Sequence, residues 1–136
     1  MAIQIVIVDD HDGMRKSLAN YLSLMNDIEI VAETGDCFDA LRICNTKEPD
    51  VVLVDVRMKE MSGSELTRRL REAGNDAGIV GLSMYRREEM MDLMLDAGAD
   101  GYVDKMAAPA ELLALVRETA DKARERKKRH TAGGAV

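Results

Sequence analysis

Two short runs constrain this chain more than anything else in it. Ile5-Val6-Ile7-Val8 and Val51-Val52-Leu53-Val54 are apolar at every position rather than at every second one. A strand with one wet face alternates. A strand that is apolar throughout is covered on both faces, the signature of a parallel sheet between helical layers. Three further short segments fit the same sheet. They are Ile28 to Glu33, Ile79 to Leu82 and Gly101 to Asp104, with the first strand spanning Ile3 to Val8.

Helical patterns separate these strands. Met14, Leu18, Leu22 and Met25 form the apolar stripe of the first helix. The second is predicted over Asp36 to Asn45, capped by Asp36. Ser62-Gly63-Ser64-Glu65 reads as a capping box opening the third, with Leu66 and Leu70 facing inward. The fourth is expected from Arg86 to Ala97, followed by Gly98 and Gly101. The fifth carries Pro109 in its first turn and buries Leu112, Leu113, Val116 and Ala120. Strand and helix alternate five times, which predicts a three-layer, doubly wound α/β domain with right-handed crossovers.

The length of 136 residues fits one domain with a real core. Charged residues make 32% and apolar residues 46%, a balance that excludes a disordered chain. No apolar run approaches the ~20 residues of a membrane span, and no secretory signal is visible. Cys37 and Cys44 are seven positions apart on a helix, so their Cα atoms would stand roughly 10 Å apart, too far for a mutual disulfide. Buried free thiols in a cytoplasmic protein are expected. The net charge of -6 is lopsided. Residues 121–136 hold six basic and two acidic side chains, and residues 1–120 hold 13 and 23. The acidic body is unsuited to nucleic acid, and aromatics at 3% argue against a base-stacking module.

Open α/β sheets bind ligands at the carboxyl ends of their strands. Asp9 and Asp10 follow strand one, Asp55 strand three, Ser83 strand four and Lys105 strand five. Each aspartate could simply cap the helix that follows it. Together, three carboxylates repel each other unless a cation intervenes, and a hard divalent ion prefers such oxygen ligands. Asp55 could then act as a nucleophile that forms an acyl phosphate, with Lys105 neutralising phosphoryl oxygens and Ser83 donating a hydrogen bond.

These residues sit in short ordered motifs. They are Val8-Asp9-Asp10-His11, then Val54-Asp55-Val56-Arg57-Met58 with Gly63 eight residues after Asp55, then Leu82-Ser83-Met84-Tyr85, and Ala97-Gly98-Ala99-Asp100-Gly101-Tyr102-Val103-Asp104-Lys105. The set resembles the receiver domain of two-component response regulators, most closely the NarL/FixJ (LuxR-type) branch. The resemblance covers residues 3 to about 120, and residues 1–122 are taken as the receiver, with 123–136 a basic helix extension, tail or truncated linker.

The resemblance implies a flavodoxin-like fold with strand order 2-1-3-4-5. It implies Asp55 as the phosphoacceptor for a histidine kinase or phosphotransfer protein, assisted by Lys105 and Ser83. Mg²⁺ (or Mn²⁺) would be held by Asp9, Asp10, Asp55 and the backbone carbonyl of Arg57. Ser83 and Tyr102 would be the switch pair. The domain would be a signalling switch with weak self-dephosphorylation rather than an enzyme. Its output would be transcriptional, through a DNA-binding effector domain absent from these residues, or by protein contacts as a stand-alone receiver or phosphorelay shuttle.

The chain departs from the family pattern in places. Lys59 replaces a proline after Met58 and adds a charge beside the site. Met84, next to Ser83, is expected to slow water's access to the acyl phosphate. Asp12-Gly13 follows His11, and Asp12 is expected to cap the first helix. The fourth helix carries two apolar stripes. Met91, Met94, Leu95 and Gly98 are expected to face the core, leaving Leu93 and Met90 as an exposed partner or homodimer surface. The basic stretch Arg124 to Arg129 reads as a solvated helix end, a linker to an effector domain or a nucleic-acid contact. A haloacid-dehalogenase-like phosphatase would need an aspartate where Arg57 stands. A flavodoxin-like cofactor binder would need a phosphate loop where Asp9-Asp10-His11-Asp12 is acidic.

Overall fold

The computed structural model describes residues 2–84 and 88–134. Its elements are β1 (Ile3–Val8), α1 (Asp12–Ser23), β2 (Ile28–Thr34), α2 (Cys37–Lys47), β3 (Val51–Asp55), α3 (Gly63–Glu72), β4 (Gly78–Ser83), α4 (Glu88–Asp96), β5 (Gly101–Asp104) and α5 (Pro109–Gly134). The five strands are all parallel, in the order β2-β1-β3-β4-β5. The expected fold is therefore found, with strand ends within a residue of their predicted positions.

The continuous apolar runs have a simple cause. Side chains of a strand point alternately to its two faces. Val6, Val8, Val52, Val54 and Ile79 enter one core with residues of α2, α3 and α4. Ile3, Ile5, Ile7, Val51, Leu53, Val80 and Leu82 enter the other, under α1 and α5. Every residue of β3 and β4 is buried. Cys37 and Cys44 are free buried thiols in the first core. Burial, together with the nearby carboxylates for Cys37, pushes their pKa up to about 11 and about 12.

Among the described residues, the helix starts at Asp36 and Ser62 follow the sequence and that of α1 does not. Asp36 accepts hydrogen bonds from the amides of Phe38 and Asp39 at 2.8 and 3.3 Å. Ser62 Oγ accepts from Glu65 N at 3.1 Å, but Glu65 turns to Arg68 and Arg69 instead of closing the capping box. Asp12 does not cap α1. His11 is the cap residue, without a side-chain cap bond, and Asp12 lies one position inside and pairs with Arg15 at 2.9 Å.

α4 corrects one expectation. Met94 faces the core as predicted, but Met90 packs beside it and Leu95 is exposed. Leu93 alone of the proposed pair is exposed, at 56%. The predicted start of this helix at Arg86 lies outside the described residues. α5 continues without a break through the basic stretch, and its side chains fold back on the body. Arg124 meets Asp50 at 3.3 Å, Arg126 meets Asp100 at 2.7 Å and His130 meets Asp76 at 2.7 Å. None of the three readings of that stretch included this docking. No helix among the described residues is long and apolar enough to cross a membrane.

Candidate functional site

Register brings the predicted residues together. Val8 pairs with Val54, so Asp9 and Asp55 leave adjacent strands at the same height. Asp55 pairs with Leu82 and Ser83 with Asp104, which brings β4 and β5 to the same edge. The amide of Lys105 donates to Ser83 O at 2.7 Å and starts its side chain toward the aspartates. The close turn after β3 depends on Gly63. A Cβ there would stand 2.6 Å from Asp55 O and 2.9 Å from Val56 Cα.

At this edge Lys105 Nζ bridges two carboxylates, at 2.8 Å from Asp9 Oδ2 and 3.1 Å from Asp55 Oδ2. All three side chains are nearly inaccessible, at 3–4% exposure. Backbone amides take the other oxygens. His11 N donates to Asp9 Oδ1 at 2.9 Å and Arg57 N to Asp55 Oδ1 at 3.1 Å. Arg15 anchors the turn by donating to Asp9 O at 2.7 Å.

The two carboxylates are tuned apart. Burial opposes charge on Asp9, but the Lys105 and His11 hydrogen bonds outweigh it and hold this carboxyl below its ordinary value. Burial dominates at Asp55. The Arg57 amide and Lys105 do not offset it, Asp9 adds repulsion, and the carboxyl is raised. Burial also works against the Lys105 ammonium, but its bonds to Asp9 and Asp55 raise it. Asp55 is thus a buried carboxylate with a raised proton affinity, held against a lysine whose charged form is favoured.

Asp10 lies beside this pair, and its buried Oδ1 accepts no hydrogen bond. Carboxylate oxygens of Asp9, Asp10 and Asp55 and a ring nitrogen of His11 all lie within 4.8 Å of one another. This donor set could hold a metal ion, and a buried oxygen lacking a donor fits a cation.

The remaining predicted residues are distributed around it. Ser83, Met84, Met90, Arg57, His11, Asp55 and Lys105 line one cleft of about 260 Å³. Ser83 is buried there, and Met84 is 44% exposed at its mouth. Lys59 lines a neighbouring cleft, with Asp10, Gly35 and Asp36. Tyr102 is half-buried and packs against the first core. Leu93 lies in a groove with Met58, Met90 and Met94, beyond the acidic edge. His11 is the residue that sequence reasoning left without a role. Its signal was its place directly after Asp9-Asp10.

Known proteins carry the same architecture. The sequence is 40% identical over 114 residues to the nitrate/nitrite response regulator protein NarP of Escherichia coli, covering 84% of this chain and 53% of NarP. It is 32% identical over 119 residues to the response regulator protein VraR of Staphylococcus epidermidis, covering 88% and 57%. The chain thus spans a little over half the length of these relatives. The signal receiver domain of the response regulator NarL from Mycobacterium tuberculosis superposes with a TM-score of 0.85 at 27% identity, over 88% of this chain and 97% of that one. A LuxR-family two-component response regulator from Aurantimonas superposes at 0.80 with 28% identity, over 96% and 99%. The family described as the response regulator receiver domain matches residues 5–117, and with it the chain belongs to the receivers of two-component systems, on the NarL/LuxR-type side of that family.

Proposed function

We propose that this domain is a phospho-accepting switch in which Asp55 takes a phosphoryl group from a histidine kinase or phosphotransfer protein. The observation that carries the reading is Lys105 Nζ bridging Asp9 and Asp55 inside a buried carboxylate cluster. An Asp55 oxygen forms the new O–P bond as the donor's P–N bond breaks, and the donor histidine leaves with the electron pair. Lys105 then pairs with the phosphoryl oxygens in place of the carboxylate it gives up. The Arg57 amide keeps the second Asp55 oxygen oriented. Asp9, Asp10, Asp55 and the Arg57 carbonyl would hold Mg²⁺ or Mn²⁺. When bound, that ion offsets the negative charge that gathers on the transferring group.

Ser83, on the cleft wall, would donate to the phosphoryl group, with Tyr102 as its proposed switch partner. Met84 at the mouth would limit water's approach, and Lys59 would add charge beside Asp10. The readout surface is proposed around the exposed Leu93, for a protein partner or a second copy. The NarL/LuxR-type likeness supports a cytoplasmic role in transcriptional control, and the runner-up is signalling through protein contacts alone.

Incubation with acetyl phosphate and Mg²⁺ tests the reading. Intact-mass measurement is expected to show one added phosphoryl group on the parent and none on Asp55→Asn. Equal modification of the two, or none of the parent, overturns it.

A further inference from the structure

We infer that His11 is a nitrogen ligand to the divalent ion of this pocket, so that the site discriminates in favour of borderline transition ions. The inference rests on the metal-assisted phosphoacceptor reading and extends it to a residue that reading leaves idle. His11 Nδ1 stands 3.1 Å from Asp9 Oδ1, 3.3 Å from Asp10 Oδ1 and 3.6 Å from Asp55 Oδ2. Neighbouring ligands of an octahedral ion at ~2.1 Å lie about 3.0 Å apart, and those of a tetrahedral ion at ~2.0 Å about 3.3 Å. The His11 nitrogen stands near these spacings from Asp9 and Asp10, and all four candidate ligand atoms lie within 4.8 Å of one another.

Two further observations point the same way. Asp10 Oδ1 is buried without a hydrogen bond and faces this nitrogen. The ring nitrogen is also within hydrogen-bond distance of Asp9 Oδ1, so the imidazole is turned into the carboxylate cluster rather than out to solvent. The rest of the ring is free to sit there, since the His11 side chain is 62% exposed. The His11 backbone is fixed as the cap of α1, and its amide is tied to Asp9. Replacing the ring leaves these backbone contacts in place and removes only its side-chain contacts to the carboxylates.

The donor set decides the ion. Mg²⁺ favours carboxylate and water oxygens and gains little from imidazole. Mn²⁺, Co²⁺ and Zn²⁺ accept imidazole readily and rise in affinity along that series more steeply at nitrogen-containing sites. His11 thus tunes which ion occupies the pocket, without contributing to the phosphoacceptor itself.

The test measures binding of the metal alone. Titration calorimetry with Mg²⁺ and with Co²⁺ compares the parent, His11→Ala and His130→Ala. The other histidine, His130, pairs with Asp76 just before β4, at the end of the strands away from the pocket, and serves as the control. Expected is at least a tenfold loss of Co²⁺ affinity in His11→Ala, with Mg²⁺ affinity changed less than about twofold. Electron spin-echo modulation of bound Mn²⁺ should show ¹⁴N coupling in the parent and in His130→Ala, and none in His11→Ala. Absent ¹⁴N coupling in the parent, or equal losses for both ions, overturns the inference while Mg²⁺-dependent phosphorylation of Asp55 keeps the broader reading. If no ion binds and acetyl phosphate leaves Asp55 unmodified, both fall.

Discussion

Gly63 has no chemistry, yet the carboxyl end of β3 depends on it. The turn that carries Asp55 into the site passes so close to α3 that a methyl group would overlap the backbone at Asp55 and Val56. Neither contact is a flexible side-chain tip, so relief requires moving main chain. Gly63→Ala is expected to cost about 1–3 kcal/mol, read as a lower urea midpoint with an unchanged m-value. Because the displaced atoms belong to the phosphoacceptor's own residue, acetyl phosphate labelling of Asp55 should slow as well. An unchanged midpoint would show that the turn can open without cost. Met84 and Ser83, adjacent in sequence, divide between mouth and wall of the cleft because β4 ends there and alternation turns one outward.

At the scale of elements, Asp100 ties α3 and α5 to the amino-terminal end of β4 and β5. It receives Arg71 from α3 at 3.0 Å and Arg126 from α5 at 2.7 Å, and also accepts from Ile79 N at 3.0 Å. Removing its carboxylate leaves two half-buried guanidinium groups without their counter-charge. Asp100→Ala is expected to cost about 2–4 kcal/mol, and Arg126→Ala, which leaves Arg71 paired, about 1 kcal/mol. Thermal unfolding of both variants checks the ranking, and equal small losses would show the pairs to be solvated surface contacts. This network also explains what the sequence could and could not reveal. The strands and their order were legible because period-2 burial on a two-faced sheet leaves continuous apolar runs at Ile5–Val8 and Val51–Val54. The inward face of α4 was not, because Met and Leu surround it and only packing separates Met90 from Leu95. The docking of Arg124, Arg126 and His130 was hidden for another reason. Their partners Asp50, Asp76 and Asp100 lie 74, 54 and 26 positions away, and no local pattern pairs a basic helix end with loops that distant. Asp9, Asp10, Asp55, Ser83 and Lys105 were legible because strand ends share one edge, whereas the proximity of the His11 ring to three carboxylates is a matter of rotamer.

For the whole molecule, the cluster makes stability depend on pH and on cations in a definable direction. Asp9 is held below the ordinary carboxyl value, so its contribution is present above that value and is lost as pH falls through the lowered one. Lys105 is raised, so its contribution holds below the ordinary ammonium value and is lost only as pH climbs through the raised one. Asp55 runs the other way from Asp9. Its carboxyl is raised chiefly by burial, so the fold favours the neutral form, and that preference is lost as pH rises through the raised value. Once Asp55 ionises, the metal-free protein therefore carries an unfavourable buried charge at the residue it needs for phosphorylation. Asp55→Asn removes that charge with little change of shape. In the presence of chelator the variant is expected to gain on the parent as pH rises through the raised Asp55 value, by about 1 kcal/mol, or about 3–5 °C in Tm. Saturating Mg²⁺ should raise the parent's Tm and close the gap, since a cation restores what the buried carboxylate loses in hydration. Calorimetric scans on either side of that value, with and without the ion, check each arm. A parent that is more stable than Asp55→Asn above it without metal would mean that Lys105 alone neutralises the site.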